Sequence, residues 1–557
     1  MNRFSSFLAS FTCAFVLLSG CASTEIDETS YVLVDAIIYT ADPAFPTAEA
    51  MAVVDGKVAM VGMEDDVLQA FPKLTLKSAG GKAVVPGFTD AHAHFMGLGE
   101  EKLFSDLRDT KDIPEVIARL KAFEANLPDG AWIQGRGWNQ VLWPGREFPT
   151  RQDLDEAFPT RPVWLSRIDG HASWANTAAL EAAGMDEIRS AADPQGGAII
   201  RNATGEPTGV FVDTAQRFVD RVAPGVTEED LDRALELALQ EAAEMGLTGI
   251  HDAGVGSATI DRYKRFIDED RFTVRMYAMV GGPGETFDTY CGNPLLNYGD
   301  RLTVRSVKLY LDGALGSRGA ALLTDYSDHP GSQGLIRTSL EDFNAMVQKA
   351  LECGYQVNTH AIGDRANKVL LDGYELAGVT PEGRHRDEHT QIIDLEEIPR
   401  FKAMGIIASM QPTHATSDLN MAEDRLGAHR IKGAYAWRTL KDAGIPLAFG
   451  SDFPVEKSNP LEGFFASVTR QTKNLLPEGG WYPEERLTRE ETLSAFTQDA
   501  AFAAFEDATL GSLSVGKWAD FIVLSDDIMT IPSPQILQAK VVATFFGGKA
   551  IYGSLDR

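Results

Sequence analysis

The sequence predicts an α/β fold: a parallel (β/α)8 barrel of the TIM type, with a long insertion after its first strand and a composite β-sandwich built from the two chain ends. Three observations carry this expectation. Short apolar, β-rich runs recur through the middle of the chain with amphipathic helical stretches between them. The first two runs are separated by residues 97–245, far more than an ordinary strand-to-helix connection needs. The two ends carry matching hairpin signals.

In chain order, residues 31–62 alternate β-formers around Asp55-Gly56-Lys57, a hairpin turn signal. Residues 511–553 repeat the theme: Trp518-Ala519-Asp520 leads into Phe521-Ile522-Val523-Leu524, and Val541–Phe546 is followed by Gly547-Gly548-Lys549. Neither half can close a core alone, so residues 31–83 and 508–557 are expected to join in one β-sandwich. The barrel then occupies residues 84–507, with strands expected at Val84–Phe88, Leu247–Ile250, Thr273–Val280, Val304–Leu311, Tyr355–Asn358, a short run before His389, Ile406–Met410 and Ile445–Phe449. Helices are expected over Glu228–Met245 and Leu340–Cys353. The inserted stretch carries Trp132, Trp138, Trp143, Trp164 and Trp174, which marks it as an ordered subdomain and not a linker.

Composition narrows the function. Among 557 residues, 51 are Lys or Arg and 80 are Asp or Glu, a formal charge of −29 that argues against nucleic acid and against docking on anionic lipid through a basic face. Residues 1–20 read as a secretion signal, with Arg3 before the apolar core Phe7–Leu18 and Leu18-Ser19-Gly20-Cys21 at the exit. That exit resembles the bacterial lipobox, which implies lipidation of Cys21, residues 21–30 as a tether, and a cell-envelope location. Ala22 and Ser23 after the cysteine point to the outer membrane, facing the periplasm. The anchor is then the sole membrane contact. Cys291 and Cys353 are read as buried small apolar residues, with a disulfide left open. The oligomeric state is also left open, a homodimer included. No phosphate-binding glycine loop of the nucleotide-cofactor kinds is present.

The chemistry sits at the expected strand ends. Asp90-Ala91-His92-Ala93-His94 places two imidazoles on one side of an extended strand. Neutral imidazole is a favoured ligand for zinc and its neighbours. Lys308 lies in the fourth strand, His360 ends the fifth, His389 ends the sixth and Asp452 ends the eighth. Barrel active sites form where the C-terminal strand ends converge. Six such residues in barrel order point to a metal centre.

The order H-x-H, Lys, His, His, Asp resembles the amidohydrolase superfamily of metal-dependent hydrolases. Gly87-Phe88-Thr89-Asp90-Ala91-His92-Ala93-His94, Asp169-Gly170-His171, Leu311-Asp312-Gly313-Ala314-Leu315-Gly316-Ser317-Arg318, His360-Ala361-Ile362-Gly363-Asp364-Arg365-Ala366 and Phe449-Gly450-Ser451-Asp452-Phe453-Pro454 are similar to its YtcJ-like branch, which includes enzymes of the N-substituted formamide deformylase type. The resemblance runs from about residue 31 to 553. It implies that His92 and His94 bind a more buried divalent metal, most simply zinc, and that His360 and His389 bind a second, while related branches that use a single metal leave one or two ions open. Asp452 completes the first shell and accepts a proton, and Lys308 becomes a CO₂-derived carbamate bridging both ions. Relatives more often show an apolar residue where this chain has Asp387, so a charge beside His389 is expected from that position.

The implied reaction is hydrolysis of a C–N bond, amide or N-formyl, in a small molecule. A metal ion lowers the pKa of bound water to about 7, and Asp452 moves the proton. His414 and His171 are candidates for a second oxyanion donor, each with a structural alternative. Arg318 either fixes a substrate carboxylate or ties down its own loop, and Trp138 and Phe95 are candidate pocket walls. An esterase, deaminase, lyase or isomerase on the same metal site, and a non-catalytic surface ligand-binding lipoprotein, stay open.

Overall fold

The computed structural model describes residues 29–168, 170–195 and 197–555. The leader, Cys21 and Asp169 lie outside the described residues. Eight strands form the barrel: β1 Phe88–Ala93, β2 Leu247–Val255, β3 Arg275–Gly281, β4 Leu302–Tyr310, β5 Gln356–Ala361, β6 Arg386–His389, β7 Ile407–Met410 and β8 Leu447–Phe449. Each pairs in parallel with the next. The strands are short and buried on both faces, as a sheet covered by helices outside and side chains inside requires.

The helices that cover the barrel follow from the local sequence. Glu228–Glu244 starts at Thr227, whose side chain forms a capping box with Asp230, and turns Ala234, Leu235, Ala238, Leu239 and Ala242 inward at helical spacing. Leu235, Ala238, Leu239 and Ala242 join the main barrel core. This helix therefore belongs to the barrel, and the insertion is shorter at its end than the expected 97–245. The insertion builds a six-stranded sheet of its own from Ser105–Asp106 to Pro207–Asp213, around a core that contains Trp138, Trp143 and Trp174.

The run expected as the first barrel strand is divided. Thr75–Pro86 pairs with Tyr31–Tyr39 and Phe521–Leu524 in the sheet built from the chain ends, and β1 starts at Phe88. Gly87 marks the crossing: a Cβ there would lie 2.1 Å from Thr248 Oγ1. The apolar run is continuous because both sheets bury their part of it, so hydropathy alone does not show the break. The two ends meet in one eight-stranded sheet, where Phe521 and Phe545 stack at 4.3 Å. Arg275 of β3 pairs with Asp520 at 2.8 Å and lies between the Trp518 and Phe546 rings, which fastens this sheet to the barrel.

The ladder runs from β1 to β8, and separate hydrogen bonds close the seam between those two strands. Asp452 N donates to His92 O at 2.7 Å and His94 N donates to Phe453 O at 2.8 Å. The Asp90 carboxylate accepts from Ser451 N, Ser451 Oγ and His92 N. Gly450 permits this approach, since a Cβ there would lie 2.5 Å from His92 N.

The cysteine reading is corrected: Cys291 and Cys353 form a disulfide with a Cα–Cα distance of 4.5 Å. Cys353 is buried but Cys291 is exposed. The bridge ties the segment after β3 to the end of helix Leu340–Glu352, a proximity that a sequence separation of 62 does not reveal. Among the described residues no helix is long and apolar enough to cross a membrane.

Candidate metal centre

A cavity of about 410 Å³ opens at the C-terminal strand ends and is lined by His92, His94, Lys308, His360, His389 and Asp452 together. The ligand atoms of His92, His389 and Asp452 lie within 4.8 Å of one another. Asp452 Oδ1 is 3.3 Å from His94 Nε2 and 3.7 Å from His92 Nε2, so the H-x-H pair does face one side. Lys308 Nζ is 3.0 Å from His92 Nε2. His389 and Asp452 sit at positive φ, 85° and 63°, a backbone strain concentrated on two site residues.

Three imidazoles are aimed by their other nitrogen. His92 Nδ1 contacts Glu388 Oε2 at 2.5 Å, His94 Nδ1 contacts Ala253 O at 3.0 Å, and His389 Nδ1 contacts Gln411 Oε1 at 2.8 Å. Each acceptor takes the Nδ1 proton and leaves Nε2 as a lone-pair donor toward the cavity. His360 Nε2 lies 3.4 Å from Asp312 Oδ1 and is buried without a hydrogen-bond partner. Asp312 is itself fixed by the backbone N–H groups of Ala321, Ile362 and Gly363.

The electrostatics of His92 and His389 agree with metal ligation, whereas for His94 burial is outweighed by the contact with Asp452, which raises the imidazole. Burial, assisted by the Lys308 charge, lowers His92 to about 4, and burial holds His389 well below the ordinary imidazole range. Both are therefore neutral donors. Burial alone would raise Asp452, but the close His94 imidazole and the charges of His92 and His414 outweigh it and bring the carboxyl to about 2. Burial lowers Lys308 to about 8. Asp452 Oδ1 and His414 Nε2 are buried without a hydrogen-bond partner, atoms that a bound ion and its ligands would satisfy.

Residues 77–552 match the model of the Amidohydrolase family. The chain belongs to the amidohydrolase family. It is 33% identical to the Bacillus subtilis (strain 168) protein YtcJ, which is named as an amidohydrolase, over 92% of this chain and 98% of that one. It is 26% identical to the N-substituted formamide deformylase of Arthrobacter pascens, over 94% and 98% of the two chains. An uncharacterized metal-dependent hydrolase from Pyrococcus furiosus superposes with a TM-score of 0.71 at 27% identity, covering 90% of this chain and all of that one.

The other expected site residues of this amidohydrolase are divided between the cavity and the rest of the fold. His414 lines the cavity, with Nε2 3.9 Å from Asp452 Oδ2. His171 does not line it: it stands on the insertion, 76% exposed, with Nδ1 2.8 Å from Asp213 Oδ1. Trp138 is not a pocket wall, because it is fully buried in the core of the insertion and donates its Nε1–H to Leu165 O. Phe95 is likewise fully buried, against Tyr263 and Phe453. Arg318 pairs with Asp328 at 2.8 Å, the loop-tying alternative.

Two residues of this amidohydrolase that sequence reasoning missed are Glu388 and Arg386. Arg386 lies 2.7 Å from Glu388 Oε1, contacts Ala91 O, Ser409 Oγ and His251 Nδ1, and is wholly buried with Glu388 beneath the site. The charge expected from Asp387 comes from Glu388 instead. Burial holds Asp387 well above the ordinary carboxylate range, and neither of its oxygens has a hydrogen-bond partner. The alternation along β6 held the signal: Arg386 and Glu388 share one face of the strand and Asp387 takes the other.

Proposed function

We propose that this amidohydrolase cleaves a C–N bond of amide or N-formyl type in a small molecule, with Asp452 as the general base. The observation that carries the reading is the convergence of all six candidate residues on one cavity, with Asp452 Oδ1 against both His92 and His94. His92, His94 and Asp452 would hold one divalent ion, His360 and His389 a second, and zinc suits this imidazole-rich set. Such ions supply an acidified water and polarise a carbonyl oxygen.

The remaining work belongs to the chain. Asp452, ionised and fixed at the seam, takes the proton of the attacking water and returns it to the departing nitrogen. His414 stacks on His389 at 6.1 Å and presents Nε2 to the cavity, where it can donate to the developing oxyanion. Lys308 at about 8 keeps a neutral fraction near neutral pH. Its nitrogen can add to CO₂, forming an N–C bond and releasing one proton, and the resulting anion with two oxygens can bridge two cations. The name of the Arthrobacter relative supports an N-formyl substrate. The leader and the Cys291–Cys353 disulfide support export to an oxidising compartment, with Cys21 as the lipid anchor.

The test is Asp452→Asn assayed on a panel of N-formyl, anilide, ester and amidine substrates after metal analysis. Turnover of the C–N substrates should fall by about 10²–10⁴-fold with metal still bound. Full activity would remove Asp452 from the mechanism, and turnover confined to esters or amidines would replace the reaction class.

A further inference from the structure

The cavity wall above the metal residues carries two acids, Asp418 at the end of helix Pro412–Asp418 and Glu456 in the segment after β8. Each is anchored through one oxygen by neutral donors. Asp418 Oδ2 accepts from Tyr435 Oη at 2.6 Å and Gln391 Nε2 at 3.0 Å, and Glu456 Oε1 accepts from Ser417 Oγ at 2.5 Å. Asp418 Oδ1 and Glu456 Oε2 take no hydrogen bond, and neither carboxylate has a Lys, Arg or His nitrogen within 4 Å among the described residues. Other acids of the fold are paired, Asp328 with Arg318 and Arg425 and Glu491 with Arg438.

Among the described residues Lys308 is the one Lys or Arg that lines the cavity, on its floor beside His92. Arg318, the sequence candidate for a substrate carboxylate, is held by Asp328. The rest of the wall includes Leu315, Ile362 and Val455. The same cavity is lined by Asp452, only 7% exposed, whose Oδ1 is buried without a hydrogen-bond partner. An anionic substrate body would find no partner on this wall. A cation would meet two fixed carboxylate oxygens beside apolar side chains, a setting that favours a weakly hydrated alkylammonium over a strongly hydrated ion.

We propose that the cavity selects an amide whose body carries an organic cation, an alkylammonium or quaternary ammonium group, held against Asp418 and Glu456. This rests on the C–N hydrolase reading above. Both acids are specificity-determining residues and take no part in the bond cleavage.

The experiment uses the full metal-loaded chain and three probes of similar size: N-(2-trimethylammonioethyl)acetamide, its uncharged isostere N-(3,3-dimethylbutyl)acetamide, and N-acetyl-β-alanine. Binding is read by calorimetry and hydrolysis separately by amine release. The cation should bind at least about tenfold tighter than the isostere, and the anion weakest. Glu456→Gln, a conservative change on a half-buried side chain, and Asp418→Asn should each shrink the cation-to-isostere ratio about threefold or more, and the double variant should bring it near one. Added salt should lower the ratio as well. Equal binding of cation and isostere, or a ratio that survives the double variant, overturns the inference. The two claims fail separately: preferential cation binding without cleavage of any amide defeats the hydrolase reading alone, and cleavage of the isostere with no cation preference defeats this one alone.

Discussion

Replacing Glu388 tests whether the site is held from below. Glu388, Arg386 and His92 are all fully buried, and Glu388 spans the other two, at 2.7 Å from Arg386 Nε and 2.5 Å from His92 Nδ1. Glu388→Gln keeps a carbonyl oxygen for the His92 Nδ1–H but removes the anion. The Arg386 guanidinium then stays buried with only Ala91 O, Ser409 Oγ and His251 Nδ1 as acceptors. Uncompensating a buried charge in this way costs about 3–5 kcal/mol. Loss of the partner that orients a metal-ligating imidazole typically weakens metal binding about 10–100-fold. Gln should fall near the lower end of that range because an acceptor remains, and Glu388→Leu near the upper end because none does. The assay is competition for Zn²⁺ between apoprotein and a chromophoric chelator, with circular dichroism to show that the fold persists and scanning calorimetry to read stability. Zinc affinity within threefold of the parent in both variants would refute the argument that Glu388 aims His92.

Three further outcomes follow from the same geometry. Lys308, lowered to about 8 by burial, is cationic below that pH and cannot add CO₂ in that form. Reloading of chelator-stripped protein at fixed dissolved CO₂ should therefore accelerate about tenfold per pH unit up to about pH 8 and then level off. A flat profile, or an unchanged one in Lys308→Ala, would exclude the carbamate. Burial raises Asp387 above the ordinary carboxylate range in the folded chain but not in the unfolded one, so the parent loses stability as pH rises above that range. Asp387→Val should then gain melting temperature over the parent by more at pH 8 than at pH 5, and an equal gain at both would contradict the assignment. The Cys291–Cys353 bridge closes a loop of 62 residues, which in the chain-entropy account is worth about 4 kcal/mol. Cys291→Ser with Cys353→Ser should lower the melting temperature, and reductant should shift the parent and not the variant.

The barrel was legible because its strand runs are separated by amphipathic helices and its polar residues stand at the ends of those runs. His92, His94, His360, His389 and Asp452 announce themselves by position in the sequence. Their supports do not. Glu388, Gln411 and Asp312 act through contacts with residues remote along the chain, as Glu388 does across 296 positions to His92. Trp138 and Phe95 misled because an aromatic beside a site motif reads alike whether it faces a cavity or a core, and only packing separates the two. The break at Gly87 was invisible to hydropathy because apolar residues on either side serve different sheets.

Closure of the barrel at the Asp452–His92 and His94–Phe453 hydrogen bonds has a consequence for biogenesis. A chain ending before residue 447 contains five of the six candidate metal residues yet lacks the strand that holds the first two in register. Partial products of synthesis or proteolysis are thus inert by construction. Competence arrives in a single late event, when segments 361 positions apart are zipped side by side. An ion bound across that join would act as a clasp, and its removal should loosen the molecule along this one line before anywhere else.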